Sequence, residues 1–458
     1  MFITKIKGSY LKNSLLINNI LGTYFIKGLS LFISLFTLPA YLKYFSDQNV
    51  LGVWFTILSV LQWILTFDLG IGNGLRNKLV PLLVNNERFI IKKYISSAYA
   101  IIGIISLLTM ILGSVSIAFL NWNNILKIST NVVSNDVLKL VLILIFTGIV
   151  SQFFLNLISS ILFAMQKTAL SNFISLVSSV LILLYVVFFK TGNIETDLIN
   201  LAIVNILTVN VPLLVATVIV FSTILKDSKP NIRSYEKKFA FSILKLGGEF
   251  FWIQIALLFI NSTNEVLITR LYGPENVVDY QVYFRLFYLV VTLFSLITNP
   301  VWSAIAKAYA DKQYDWIINL NKKINLLVLL ISVGNVLVLV VSQTIINIWL
   351  RREAININYG YASIFVLFSA ISMYNIASSC FANGIGILRC QVICYSIAAI
   401  VKIPIVIVFS YFFKDWISVV VVNAVILLPY AIIQPRVLRK FYRSQMLKKQ
   451  LDSLVINS

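Results

Sequence analysis

The chain has 458 residues, of which 59% are hydrophobic and only 12% are charged. A soluble domain usually carries about 25% charged residues, so this composition excludes an ordinary soluble protein. The formal net charge is +20 and His is absent. The lack of His excludes imidazole proton relays and His metal sites, and we predict no cofactor, no metal and no catalytic residue.

Apolar stretches of about 20 residues fill almost the whole chain, and each is long enough to cross a bilayer. They predict an all-α polytopic membrane protein with 12 transmembrane helices. The predicted helices are residues 17–42, 51–70, 95–120, 138–163, 169–190, 198–225, 242–269, 279–302, 324–350, 361–385, 391–412 and 416–436. The first stretch is too long for a signal-peptide core, so we expect it to be retained as a helix.

Lys and Arg are distributed unequally between alternate loops. One set of loops, which includes the N-terminus and the C-terminal segment, holds 25 of them, and the other set holds 7. Because positive charge marks the cytoplasmic side, both termini are predicted to be cytoplasmic. This distribution in loops explains the positive net charge of the chain, so we predict no nucleic-acid partner.

The longest polar segment, residues 226–240, divides the chain into two halves with six predicted helices each. We interpret it as a cytoplasmic linker between an N-terminal bundle, residues 1–225, and a C-terminal bundle, residues 241–440. Residues 441–458 are predicted to form a cytoplasmic tail. Six helices per half give both halves the same orientation in the membrane.

Several charged residues fall inside the predicted helices, where an ionisable group is costly and indicates a functional site. Lys27 lies ~15 Å into the first helix, and Lys402 lies near the middle of the eleventh. Arg285 lies inside the eighth helix and Arg270 ends the seventh. A cavity lined by these cations favours an anion, especially a phosphate or diphosphate. The alternatives are snorkelling for Lys27 and a local pair of Glu265 with Arg270 or Arg285.

Glu249, which follows Gly247 and Gly248 near the inner end of the seventh helix, is the best candidate for a proton-carrying carboxylate. The alternative is a salt bridge to Lys245. Uncharged polar groups could line a hydrated path or join helices by hydrogen bonds. They are Asn156, Asn205, Asn210, Gln254, Asn261 and Asn264.

The most distinctive string is FDLGIGNGLRNK at residues 67–78, with three alternating glycines. Alternating glycines can end a helix or form a hinge. Asp68 near a helix C-terminus is unfavourable with the helix dipole and needs a partner such as Arg76 or Lys78. The functional interpretation is a cytoplasmic gate latch, and the alternative is a capped helix end.

This string resembles the helix-two signature of O-antigen (Wzx-type) flippases, which are polysaccharide transporters of the multidrug/oligosaccharidyl-lipid/polysaccharide exporter superfamily. Three further strings resemble that family: LGVW at 51–54, GPE at 273–275 and NPVW at 299–302. The resemblance covers the whole chain in length and topology, but its motifs say little about the sugar.

The resemblance implies two six-helix bundles around a central cavity, in the bacterial inner membrane. Such proteins flip an undecaprenyl-diphosphate-linked oligosaccharide to the periplasmic leaflet by alternating access, with protons or a monovalent cation as the expected coupling ion. Membrane lipid and other O-antigen assembly proteins are the further expected partners. Because of their charge and position in the predicted helices, we expect the diphosphate to be bound by Lys27, Arg285, Lys402 and Arg270. Coupling and gating are assigned to Glu249, Asp68, Arg76 and Glu265.

Two other functions remain open from the sequence. A drug exporter of the same superfamily would share the topology, but its usually cationic cargo predicts a cavity dominated by carboxylates. A membrane enzyme such as an O-antigen polymerase would be expected to have a substantial periplasmic catalytic loop, whereas the predicted outer loops are short. We therefore expect a secondary transporter rather than an enzyme.

Overall fold

The structure is a computed structural model. It describes residues 17–30, 32–33, 37, 40–41, 43–45, 50, 54, 57, 70–126, 130, 133–273, 275–350 and 356–456. Those parts of the chain contain helices and connecting turns but no strand. Within the described residues, ten helical spans are long and apolar enough to cross a membrane. The prediction of an all-α polytopic membrane protein is therefore confirmed, while the two predicted N-terminal spans lie partly or largely outside the described residues.

The chain divides into two compact units, Met1–Gly248 and Glu249–Ser458. The helices that begin in the first unit are α1 (17–30), α2 (Ile71–Val84), α3 (Arg88–Phe119), α4 (Trp122–Leu126), α5 (Asn135–Leu155), α6 (Leu157–Ala164), α7 (Thr168–Phe188), α8 (Ile194–Thr223) and α9 (Lys237–Ser262). The second unit begins within α9 and continues with α10 (Asn264–Tyr272), α11 (Glu275–Ser295), α12 (Thr298–Ala310), α13 (Tyr314–Leu350), α14 (Tyr359–Ile385), α15 (Arg389–Phe413) and α16 (Ile417–Ile456).

Several helices extend well beyond the apolar stretches that predicted them. Helix α13 begins at Tyr314 rather than at residue 324, and α3 begins at Arg88 rather than at residue 95. Helix α16 continues to Ile456, so most of the predicted tail is helical. Apolar residues mark only the part of a helix that contacts lipid. A helix can continue into polar turns outside the membrane, because helical backbone hydrogen bonds form there as they do inside it.

A helix begins within the glycine string. Gly70 has a φ of 63°, and α2 begins at the next residue. Gly74 lies against α9, so that a Cβ added to it would lie 2.7 Å from the carbonyl oxygen of Ile243 and 3.1 Å from the nitrogen of Gly247. Gly74 therefore permits two helix backbones of the first unit to approach closely.

The predicted linker lies against α3 in the first unit as two short 3-10 helices, Lys226–Ser228 and Ile232–Ser234. Arg88 on α3 forms an exposed salt bridge with Asp227, and Lys93 pairs with Glu236. The Ser97 hydroxyl also donates a hydrogen bond to the backbone carbonyl of Glu236. The linker carboxylates thus neutralise part of the basic surface.

The core of the second unit is aromatic and is formed mainly by α11, α14 and α16. The ring of Tyr283 is stacked on that of Phe365, with centroids 5.6 Å apart, and is 5.7 Å from the ring of Trp416. Phe287 and Phe368 are also buried there. Such pairs contribute about 0.5–1.5 kcal/mol each beyond their burial, so this core gives a rigid support to the polar groups beside it.

Candidate functional site

The apolar span that forms α9 and α10 is interrupted at Thr263, where one helix ends at Ser262 and the next begins at Asn264. The interruption falls in a run of five polar residues, NSTNE at 261–265. The last carbonyls of a helix have no partner within it, and inside a membrane water cannot supply one. Polar groups from neighbouring helices must therefore satisfy the backbone at this point.

Lys402 supplies the donors. Its side chain is fully buried, 13 residues or ~20 Å after the start of α15. The ammonium donates hydrogen bonds to the carbonyl oxygen of Ile260, to Oγ1 of Thr263 at 2.7 Å and to Oδ1 of Asn264 at 2.6 Å. An ammonium has three donors, and all three are used here.

Asn264 is the centre of the hydrogen-bond network. Its Oδ1 accepts a second hydrogen bond, from Nδ2 of Asn423 on α16 at 2.9 Å, and its own Nδ2 donates to the hydroxyl of Tyr280 at 3.0 Å. All three side chains are buried. One amide thus connects α10 to α11, α15 and α16, because it bonds to Tyr280, Lys402 and Asn423.

Glu265 lies in the first turn of α10, next to Asn264. Its Oε1 accepts a hydrogen bond of 2.9 Å from Nε2 of Gln281, and it interacts electrostatically with Lys402. A cation near the end of one helix and a carboxylate at the start of the next both complement the helix dipoles. The interruption is therefore stabilised by opposite charges on its two sides.

The other predicted cations are less enclosed. Lys27 is half-buried on α1 in the first unit, whereas Arg270 and Arg285 are exposed on α10 and α11 in the second. Neither arginine forms an ion pair within the part of the chain that is described, so the alternative pairs with Glu265 are not formed. Arg270 and Arg285 thus have exposed charges with no ion-pair partner among the described residues.

The predicted coupling residues occupy different environments. Arg76 is only 1% exposed on α2, and its guanidinium lies over the ring of Phe163, 5.1 Å from the centroid. Asp68, its predicted partner, lies outside the described residues, so the latch stays a prediction. Glu249 is half-buried on α9 in the second unit.

The structure brings two of the predicted residues together, because Lys402 and Glu265 lie close enough in the second unit to interact electrostatically. No motif in the sequence pointed to Tyr280, Gln281, Thr263 or Asn423. The five consecutive polar residues within an apolar span were the available signal, since helices in lipid rarely carry such a run without partners.

Comparison with known proteins gives both a sequence relative and structural neighbours. No protein-family model matches the chain. A curated protein of Yersinia pseudotuberculosis, which carries the provisional name of an O-antigen export protein, is 21% identical over 376 residues. The match covers 79% of this chain and 81% of the relative.

The solved structures that resemble this chain include transporters. One is the outward-facing conformation of a multidrug resistance MATE family transporter of the MOP superfamily, with a TM-score of 0.71, 11% identity, and coverage of 93% of this chain and 96% of the other. Another is a MOP superfamily transporter from Pyrococcus furiosus, whose binding pocket is described as having reversed polarity. Its TM-score is 0.71 at 14% identity, and the match covers 95% and 97% of the two chains.

These comparisons confirm the resemblance that was based on the sequence. The fold is that of MATE transporters of the MOP superfamily, and the sequence is similar to that of an O-antigen export protein.

Proposed function

We propose that this chain is a flippase that moves undecaprenyl-diphosphate-linked O-antigen repeat units from the cytoplasmic to the periplasmic leaflet of the bacterial inner membrane. It would work by alternating access, coupled to protons or to a monovalent cation. The transporter fold and the sequence similarity to an O-antigen export protein support this proposal.

The observation that carries the proposal is the excess of cations in predicted membrane spans. Lys27, Arg270 and Arg285 lie in or at the ends of such spans and form no ion pair within the described parts of the chain. Unpaired cations in lipid are costly, and a diphosphate that enters the transporter would neutralise them with charge-assisted hydrogen bonds.

In the proposed mechanism the polyprenyl tail stays in the bilayer while the diphosphate and the sugars enter the transporter. Lys27, Arg270 and Arg285 would contact the diphosphate. Lys402 is enclosed in this conformation, so it would reach the diphosphate only after the network around Asn264 opens. Opening would cost hydrogen bonds that a bound diphosphate could replace.

Coupling would use the carboxylates. Glu249 is the first candidate for proton uptake. Glu265 interacts electrostatically with Lys402, so a change in the charge near Glu265 would affect Lys402. The predicted latch of Asp68 with Arg76 would bias the inward-open against the outward-open state. A coupling ion acts only if it binds one of these two states more tightly than the other.

A multidrug exporter is the second candidate, because one structural neighbour is a multidrug resistance transporter of the same fold. The two functions predict different cargo. A drug exporter with cationic cargo needs accessible carboxylates, whereas a diphosphate carrier needs accessible cations. The exposed state of Arg270 and Arg285 favours the anionic cargo.

The proposal can be tested in cells of the bacterium that encodes the chain. Deletion should cause the lipid-linked repeat unit to accumulate and should abolish surface glycan, and the wild-type gene should restore both. Lys27→Ala combined with Arg285→Ala should restore less than a tenth of the surface glycan at normal protein level. The matched control is Lys139→Ala with Lys414→Ala, which removes two cations near helix ends. Normal glycan in the deletion strain would contradict the proposed function.

A further inference from the structure

A basic groove lies between α13 and α16 in the second unit, with a volume of about 470 Å³. Three of the residues that line it, Lys322, Arg439 and Arg443, are cations, and no carboxylate is among the lining residues that the structure describes. The remaining lining residues are Ile318, Asn321, Asn325, Tyr442, Met446 and Leu447. The groove therefore combines positive charge and amide groups with an apolar wall.

The spacing of the cations is helical. Arg439 and Arg443 are four residues apart on α16 and so lie on one face, and Lys322 faces the same groove from α13. Like charges at this spacing repel each other. Such an arrangement is stabilised when an anion binds between the cations.

No ion pair or hydrogen bond is formed by the charged groups of Lys322, Arg439 and Arg443 among the residues that the structure places. The first unit differs in this respect, because Arg88 and Lys93 have carboxylate partners. The three groove cations thus keep their hydrogen-bond donors available for a ligand.

The walls of the groove are held together. Tyr314 at the start of α13 donates a hydrogen bond of 3.4 Å to Oε1 of Gln445 on α16. The rings of Tyr309 and Phe441 lie 5.9 Å apart, which fixes α12 against α16. Tyr442, which lines the groove, is buried. Because these contacts involve no groove cation, the groove is formed before any ligand binds.

An apolar stripe continues from the groove along α13. Starting from Lys322, the residues at positions +4, +7, +8, +11 and +15 lie on the same helix face, and each is more than half exposed. They are Leu326, Leu329, Leu330, Val333 and Leu337. The stripe is ~16 Å long, which is about the ~15 Å of hydrocarbon in one bilayer leaflet.

We propose that the basic groove binds the phosphate headgroup of an anionic membrane phospholipid, whose acyl chains lie along the apolar stripe of α13. A free phosphate would use only the cations, whereas a phospholipid uses the groove and the stripe together. The groove lies at the ends of α13 and α16 that the loop charges predict to be cytoplasmic, where anionic lipids attract basic segments. This site does not depend on the proposed transport of glycans.

Binding can be measured with the full-length protein in a neutral detergent. The probes are dioctanoyl phosphatidylglycerol, dioctanoyl phosphatidylcholine, glycerol phosphate and inorganic phosphate. We expect phosphatidylglycerol to bind at least tenfold more tightly than each of the other three probes, by native mass spectrometry and by the shift in Tm. Similar affinity for phosphatidylglycerol and phosphatidylcholine would overturn the proposal, and inorganic phosphate that binds equally well would overturn the role of the acyl chains.

The variant Lys322→Gln/Arg439→Gln/Arg443→Gln should lose at least tenfold in affinity for phosphatidylglycerol. Its matched control, Lys323→Gln/Arg436→Gln/Lys440→Gln, removes the same charge from neighbouring exposed positions outside the groove lining and should bind normally. An equal loss in both variants would show a diffuse surface attraction and overturn the site. If the triple variant does not fold, Arg443→Gln alone should weaken binding several-fold, and unchanged binding would contradict the proposal.

The occupant can also be distinguished from an isoprenoid diphosphate. Farnesyl diphosphate carries the same kind of phosphate head but a different tail. The phospholipid assignment would be overturned if farnesyl diphosphate displaced phosphatidylglycerol from the wild type and bound the wild type more tightly than phosphatidylglycerol does, and if the groove variant did not show this tighter binding. Weaker binding of farnesyl diphosphate is the expected result.

Discussion

The ammonium of Lys402 donates a hydrogen bond to the carbonyl oxygen of Ile260 in the last turn of α9. This bond joins a buried cation to the point where a membrane-spanning helix is interrupted. The lysine that the sequence marks as the deepest cation therefore has a structural task in this conformation, in addition to the diphosphate contact proposed for it. Lys402 cannot make these hydrogen bonds and contact the diphosphate in the same conformation. A residue that takes part in a switch between two conformations needs this property.

Replacement of Lys402 by Met should destabilise the protein. The change removes three hydrogen bonds and leaves the oxygens of Ile260, Thr263 and Asn264 short of donors. Each buried polar group without a partner costs about 1–3 kcal/mol, so we expect Tm in detergent to fall by ~5 °C or more. Lys440→Met, which removes an exposed lysine on α16, is the control and should leave Tm unchanged. An unchanged Tm in Lys402→Met would contradict the structural role.

Tyr280→Phe should have a smaller effect of the same kind. The substitution keeps the ring in the aromatic core but removes the oxygen that accepts the hydrogen bond from Nδ2 of Asn264. A net loss of ~1 kcal/mol is expected. In combination with Lys402→Met the two losses should be non-additive, because both substitutions affect Asn264. Strict additivity in thermal unfolding would show that the network does not act as one unit.

Gly74→Ala should destabilise the first unit even though Ala is the better helix former by ~1 kcal/mol. The added Cβ would lie 2.7 Å from the Ile243 carbonyl oxygen, so α2 and α9 must separate. Gly248→Ala is the matched control, because nothing lies within 4 Å of the Cβ there. Tm should fall in the first variant and stay level or rise in the second. Equal Tm values in the two variants would rule out the close helix approach.

The exposed pair of Arg88 and Asp227 should contribute little. The two side chains are 63% and 64% exposed, so water screens their attraction. A double-mutant cycle with Arg88→Ala and Asp227→Ala should give a coupling energy below ~1 kcal/mol. A coupling of several kcal/mol would mean that this contact holds the linker against α3 more strongly than its exposure implies.

Hydropathy and loop charge predicted the helical membrane fold because lipid requires long apolar helices and few loop structures. They could not predict where the helices end, since the polar turns that begin α13 and end α16 follow no apolar pattern. Lys322 and Arg439 were therefore assigned to loops, although they lie on helices and face one groove.

The partners of the charged residues inside the predicted spans could not be predicted from the sequence. Lys402 and Asn264 are 138 residues apart, and no local spacing connects them. The run of polar residues at 261–265 marked the interruption of the helix, yet only packing in three dimensions selects Asn423 and Tyr280 as neighbours. Sites built from several distant helices have this property in general, because each helix contributes a single side chain.

The most direct test of the proposed function is flipping in proteoliposomes. The purified chain is reconstituted with the lipid-linked repeat unit, and exposure of the sugars to an impermeant glycosidase is followed with and without a proton gradient. We predict exposure that depends on the protein and increases with the gradient. Exposure that is the same with and without an ion gradient would contradict the coupling proposal. The absence of exposure, with an authentic substrate and a folded protein, would contradict the flippase function itself.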